Sequence, residues 1–290
     1  MKYNFDCVVI GAGIAGMTAA IYLKRSNVNV LIIDNGVPGG LLNKINSIEN
    51  YPGFINISGP DLAYSIYEQV KNLDIEIRYG QVLEINDHII KTDVEEIVTK
   101  KVIIATGRNA KKLANTNNLK NVSYCALCDG SLYKEKTIAL VGNGNSALEE
   151  ALYLSDLCKE VIILVRSESL KGENISISRV QSRKNIKIIY NCVIKTLNSE
   201  NNILNEIITN NGSFKVDGMF ISIGYEPNND FLKEIVTEKG YIIVNEKMQT
   251  NIDYIYACGD IIKKDVYQLA TAVGEAATAA INVKKNLNKD

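Results

Sequence analysis

The sequence predicts an α/β protein of two similar halves, one inserted into the other, and three observations lead there. An apolar run from Phe5 to Ile10 feeds directly into Gly11-Ala-Gly-Ile-Ala-Gly16 and then a helical pattern through Arg25. The same succession returns at Thr137 to Val141, Gly142-Asn-Gly-Asn-Ser-Ala147 and a helix through Leu157. Two further apolar runs turn at a glycine, Lys101 to Gly107 and Asp217 to Gly224, and mark where the chain crosses between halves. Strand, glycine turn, helix and strand make a βαβ unit, so two such units predict two Rossmann-like dinucleotide-binding domains. The first is expected to be discontinuous, residues 1–108 and 225–290, and the second to be the insert, residues 109–224. A length of 290 residues suits two domains.

In the first unit, Gly11, Gly13 and Gly16 permit a tight turn, close approach of a pyrophosphate to backbone N–H groups, and close packing of helix on strand. The next strand, Asn29 to Ile33, ends at Asp34, 18 residues beyond Gly16, where a carboxylate accepts from an adenosine ribose. His88, the single histidine, sits in Asn86-Asp-His-Ile and reads as a turn or surface residue. Cys125-Ala-Leu-Cys128-Asp129 then offers two thiols at disulfide spacing with a carboxyl group beside them to move protons. A zinc site at that pair lacks two further ligands at any paired spacing, and a pair of incidental core thiols fits poorly with Asp129 and Gly130. The second glycine motif, Gly142, Gly144 and Ala147, also suits a pyrophosphate, but its following strand ends in Val165-Arg166-Ser167-Glu168. Arg166 and Lys171 either clasp a 2′-phosphate there or are ordinary solvated cations. The last strand, Tyr254 to Cys258, runs into Gly259-Asp260, and an Ala-rich helix from Gln268 to Lys284 returns to the first domain.

Composition narrows the function classes. Thirty-two basic and 33 acidic residues give a net charge of −1, so the global balance points to no nucleic acid and no anionic membrane. Absence of a signal-peptide pattern and of any apolar stretch near 18 residues predicts a cytoplasmic protein. Six cysteines are too few for a disulfide scaffold, so one pair is read as chemical and Cys7, Cys158, Cys192 and Cys258 as core thiols, with no metal site.

Taken together, the first glycine motif, Gly39-Gly40, Glu49-Asn50-Tyr51-Pro52-Gly53, Cys125-Ala-Leu-Cys128-Asp129-Gly130, the second glycine motif and Gly259-Asp260 resemble the low-molecular-weight bacterial thioredoxin reductases across the whole chain. The resemblance implies a flavoprotein that reduces a thioredoxin disulfide. It implies FAD held by Gly11, Gly13, Gly16, Asp34, Gly40, Asn50, Thr106, Gly107, Gly259, Asp260 and Gln268, with Asp260 at the ribityl chain. It further implies that Cys128 receives electrons from flavin, that Cys125 exchanges with thioredoxin, that Asp129 carries the proton, and that the protein is a homodimer whose inserted domain rotates on a hinge.

Two departures bear on the electron donor. Where NADPH-using members carry His-Arg-Arg and a further Arg, this chain has Val165-Arg166-Ser167 and Lys171, which weakens a 2′-phosphate site because serine and lysine cannot make the bidentate grip of arginine. Where an Arg-Gln pair is usual near the flavin, Tyr267-Gln268 stands here. Both resemble the ferredoxin-linked, pyridine-nucleotide-independent branch, so reduced ferredoxin is the expected donor and NAD(P)H the alternative. A flavin redox sensor without turnover is a further alternative, and a ferredoxin–NADP oxidoreductase of similar fold is disfavoured by the paired cysteines.

Overall fold

Successive β-branched residues in Phe5–Ile10 (β1) and Val30–Asp34 (β2) suit strands covered on both faces, and the helix Ile14–Arg25 (α1) that joins them buries its first two turns, Ile14 to Ala20. The computed structural model of the chain describes residues 4–288 except 46, 117 and 230. Helix Gly59–Asn72 (α2) starts at Ser58, whose hydroxyl caps Asp61 N–H, with a proline in its first turn. It leads to Glu76–Tyr79 (β3), and the chain then turns back in an antiparallel meander, Val82–Asn86 (β4), Ile89–Thr92 (β5) and Glu96–Ile104 (β6). The strand order is β3-β2-β1-β6-β5-β4, with β1 parallel to both β2 and β6. The order in which strands are added therefore reverses between the parallel neighbours β1 and β6, which opens a crevice at their carboxyl ends.

The chain divides into two compact units, residues Met1–Asn109 with Glu226–Asp290, and Ala110–Tyr225. Strand Arg108–Ala110 (β7) leads into the second unit. There Val122–Ser123 (β8) precedes the single-turn helix Ala126–Asp129 (α3), and a βαβ unit follows: Thr137–Gly142 (β9), Asn145–Leu157 (α4) and Glu160–Leu164 (β10). Helix Asn174–Ser182 (α5) and strand Ile186–Ile189 (β11) complete one side. The antiparallel strands Ile194–Glu200 (β12), Ile203–Thr209 (β13) and Gly212–Lys215 (β14) lead back to Gly218–Ser222 (β15), giving a parallel sheet ordered β11-β10-β9-β15-β8. Its reversal point lies between β9 and β15.

Strand Tyr225–Pro227 (β16) returns to the first unit, where Thr237–Glu238 (β17) and Tyr241–Ile242 (β18) form a small hairpin. Ile255–Ala257 (β19) then adds to β6 in parallel, and helix Leu269–Leu287 (α6) covers the sheet. Its Ala272, Ala276, Ala279 and Ala280 are buried in the cluster that holds Ala19, Ala20 and Leu23 of α1. Alanines let the two helix backbones approach closely, which is what the Ala-rich pattern at the C-terminal end encodes. Both sheets are thus covered by helices drawn from their own unit. Among the described residues, no helix is long and apolar enough to cross a membrane.

Candidate active site

Cys125 and Cys128 are joined in a disulfide, with Cα atoms 5.3 Å apart, across the start of α3. Cys125 is its N-cap: the sulfur accepts from Cys128 N–H at 3.1 Å. Ser123 is buried beneath the pair, receives Cys125 N–H at 3.0 Å and donates to Asp129 Oδ2 at 2.6 Å. One hydroxyl thus ties the carboxyl group to the backbone of the first cysteine, and Ser123 is a site residue that sequence reasoning missed. Gly130 follows because a side chain there would sit 2.9 Å from Tyr153 and 3.2 Å from Leu154 of α4. The two sulfurs differ in access. Cys125 is 7% exposed, packed under α3 with Ala126, whereas Cys128 is exposed. As the N-cap of its own helix, Cys125 lies on the inward side of the pair.

The crevice of the first unit gathers most of the residues singled out in the sequence. Gly11, Ala105 and Cys258 stand at the ends of β1, β6 and β19, and Gly16 lies in the first turn of α1 so close under Gly11 that a Cβ would meet Gly11 O at 1.8 Å. A Cβ on Gly11 would meet Ala105 O at 2.4 Å, with φ at +105°. By contrast a Cβ on Gly13 or Gly107 meets nothing within 4 Å, so these two face open space. Asp34 accepts Ala12 N–H at 2.5 Å and Gly36 N–H at 2.6 Å, which fixes its carboxylate at the end of β2. Gly40 packs against Gly13, Asn50 Nδ2 donates to Gln268 Oε1 at 3.2 Å, and Thr106 donates to Asn228 O at 2.8 Å. Gln268 caps α6 and shares a capping box with Thr271.

At Gly259-Asp260 the structure shows a four-charge network that the sequence did not reveal. Arg108 grips Asp260 Oδ2 through Nε at 3.1 Å and Nη2 at 2.8 Å, and Lys264 lies 3.4 Å from Oδ1. Lys264 also holds Glu275 at 2.8 Å, and Glu275 accepts Gly259 N–H at 3.0 Å. Burial pushes the Glu275 carboxyl above its ordinary value, against the opposing pull of Lys264. Tyr267 lies under Arg108, whose guanidinium carbon is 4.3 Å from the ring centre. Its phenol is raised first by burial and then by Tyr241.

In the second unit, Gly144 caps α4 with no side-chain cap, and a Cβ there meets nothing within 4 Å. The loop after β10 is laced onto the motif: Asn143 Nδ2 donates to Ser167 Oγ at 2.9 Å, Ser167 donates to Ser169 O at 2.7 Å, and Lys171 N–H donates to Asn143 O at 2.7 Å. Ser167 has therefore committed its one proton. Arg166 and Lys171 are exposed. His88 lies in a turn of the first unit with φ at +66° and stacks on Tyr254. Cys7, Cys158, Cys192 and Cys258 are buried free thiols. Among the described residues, no group of three or more His, Cys, Asp or Glu side chains is placed to hold a metal ion.

Residues 5–277 match the pyridine nucleotide-disulphide oxidoreductase family. The chain belongs to that family. A thioredoxin reductase of Bacillus subtilis is 36% identical over 97% of this chain and 94% of its own length. A crystal structure of Lactococcus lactis thioredoxin reductase superposes with a TM-score of 0.95 at 37% identity, covering 99% of this chain and 100% of that one. A ferredoxin-flavin thioredoxin reductase from Clostridium acetobutylicum gives a TM-score of 0.56 at 29% identity, with 99% of both chains covered. This oxidoreductase is accordingly a flavoprotein, and its cofactor is FAD. The crevice fits that group: the first turn of α1, 12 residues long, has no side-chain cap, and Gly13 and Gly107 leave the space beside it unfilled.

Proposed function

We propose that this oxidoreductase is a thioredoxin reductase in which Cys125 and Cys128 relay electrons from FAD to the disulfide of a thioredoxin. The observation that carries the reading is the Cys125–Cys128 disulfide, with Cys128 exposed and the Cys125 sulfur already receiving Cys128 N–H. Gly11, Gly13, Gly16 and Gly40 would line the pyrophosphate path, Asp34 the adenosine ribose, and Asn50, Thr106, Gly107, Gly259, Asp260 and Gln268 the flavin end. FAD, when bound and reduced by the donor with two electrons, would supply an electron pair to the disulfide. Delivery of that pair to the exposed Cys128 sulfur breaks the S–S bond, and Cys125 leaves as a thiolate stabilised by Cys128 N–H. Asp129, oriented by Ser123, gives a proton to the Cys128 sulfur. The Cys125 thiolate then attacks one sulfur of the thioredoxin disulfide, the other leaves as a thiolate, and a mixed disulfide forms. Cys128, its proton taken back by Asp129, attacks Cys125, expels the second thioredoxin thiolate and restores the starting disulfide. The relatives named thioredoxin reductases, identical in more than a third of positions over nearly the whole chain, support thioredoxin as the substrate.

The donor in this proposal is reduced ferredoxin. It is supported by Ser167, whose hydroxyl proton is occupied by Ser169 O, and by Lys171, which offers only a point charge, so that Arg166 alone retains a bidentate grip for phosphate. A nicotinamide nucleotide is the second reading, favoured by Gly142, Gly144 and Ala147 and by the open space at Gly144. A homodimer, implied by the resemblance, and the cytoplasmic location expected from the sequence belong to the same proposal. The test is anaerobic: the yellow holoprotein is mixed separately with NADPH, NADH and reduced ferredoxin, flavin absorbance is followed, and oxidised thioredoxin is then added. Bleaching by ferredoxin alone, followed by recovery of colour with thioredoxin, is expected. Bleaching by NADPH at micromolar concentration would establish the second reading. Failure of any bleached form to reduce thioredoxin repeatedly would leave a redox sensor.

A further inference from the structure

We infer that Arg108 is a positioning residue for the flavin end of the cofactor site, acting through Asp260. The inference rests on the proposed FAD-binding role of Asp260 and adds a residue that no glycine or cysteine motif contains. Arg108 follows the open Gly107 turn at the end of β6 and approaches Asp260 from a different strand. Its fork places both Nε and Nη2 on the same oxygen, Oδ2, at 3.1 and 2.8 Å, while Lys264 takes Oδ1 at 3.4 Å. A carboxylate offers about four acceptor positions. Two on Oδ2 are taken by Arg108, while Lys264 stands beside Oδ1 as an ion pair, so acceptor capacity toward a ligand hydroxyl is confined to Oδ1.

The grip is itself held from behind. The Arg108 guanidinium lies 4.3 Å over the Tyr267 ring, and Lys264 is anchored by Glu275, which also receives Gly259 N–H. Side-chain exposures of 17% for Arg108 and 10% for Lys264 keep both cations out of bulk water, where charge-assisted bonds of this kind are strongest. Asp260 is thus fixed in rotamer by its neighbours, and a hydroxyl of the cofactor meets an acceptor whose direction is set before it binds. Preorganisation of that sort raises affinity by removing the ordering cost from the binding step.

A double-mutant cycle tests the inference on the holoprotein, with FAD dissociation constants read from the fluorescence of flavin released on dilution. Arg108→Met should weaken FAD binding about tenfold in the otherwise unchanged protein, the effect of removing a charged hydrogen-bond partner. In an Asp260→Asn background the same change should move the constant less than about twofold, since the carboxylate it orients is gone. Arg108→Lys restores charge but not the fork and should recover less than half of the loss on a logarithmic scale. Equal weakening by Arg108→Met in both backgrounds, or no weakening in either, would overturn the role. Were Asp260→Asn alone to leave FAD binding unchanged, the parent reading of Asp260 would fail instead, and that single variant tells the two failures apart.

Discussion

At the scale of single residues, what a cysteine does follows from what surrounds its sulfur. Burial pushes the Cys7 and Cys258 thiols far up, and that of Cys158 up to about 11, so none of the three forms a thiolate near neutrality. The native oxidised protein should therefore resist alkylation by iodoacetamide at pH 8, and dithiol reduction should add two reactive sites, at Cys125 and Cys128; mass spectrometry of the labelled protein checks this. Replacing either Cys125 or Cys128 by serine should abolish thioredoxin turnover by roughly a thousandfold or more, because neither half of the exchange proceeds alone. The variants should differ in what they trap. Cys128→Ser retains the thiol proposed to attack thioredoxin and should accumulate a mixed disulfide on a non-reducing gel, whereas Cys125→Ser should not. The reverse pattern would reassign the attack to the sulfur that is exposed in this structure. Asp129→Asn should slow reduction by about a hundredfold in steady-state thioredoxin turnover, the size of effect typical of a lost proton carrier. The paired spacing made Cys125, Cys128 and Asp129 legible in the sequence. Ser123 was not legible, since nothing marks a serine two residues upstream as the group that links them.

At the scale of elements, the glycine motif before α1 contains two kinds of glycine that look alike in a pattern. Gly16 is required by the fold: a Cβ there would stand 1.8 Å from Gly11 O, and relief demands moving the helix off the strand. Gly13 is not, since it has an extended backbone at φ −73° and space around it. Gly16→Ala should destabilise the protein by about 2 kcal/mol or more, read by chemical denaturation of the apoprotein. Gly13→Ala should leave that stability within about 0.5 kcal/mol while weakening FAD binding, since its methyl group enters the space left beside the helix start. If both variants unfold alike, the distinction between fold glycine and site glycine is lost. Helix extents were legible to within a few residues from apolar periodicity. The true start of α1 at Ile14, three residues before the pattern becomes regular, was hidden because its whole first turn is buried and carries no polar face.

Across the whole molecule, charge pairs set the response to acid. Hydrogen bonds from Lys233 and Lys263 hold Glu84 and Glu238 below the ordinary carboxylate range, and Asn198 does the same for Glu206. For Asp6, burial acts upward but is outweighed by Lys100. A depressed folded value means stability that is present above the unfolded value, near 4, and lost as pH falls through the folded one. Glu275 has the opposite sign: its raised value means that its contribution grows as pH falls toward the ordinary 4.5. Thermal midpoints of the apoprotein should therefore hold nearly level from about pH 7 to 5 and decline below about pH 4, more gently in high salt because the pairs of Glu84 and Glu238 lie at the surface. A midpoint that rises steadily down to pH 3 would show that Glu275 dominates.

The sequence by itself determined the two βαβ units, the strand ends at which glycines cluster, and the pair of cysteines that forms the disulfide, because each is local: a strand, a tight turn and a four-residue spacing are set by residues that are neighbours along the chain. The tertiary structure alone decided which cysteine lies inward, that Asn50 meets Gln268, and that Arg108, Asp260, Lys264 and Glu275 share one network. Those pairings join residues up to 218 positions apart, and no periodicity records them. Only the folding of β6, β19 and α6 onto one another brings their charges within reach, at distances where burial and geometry determine what each group can bind.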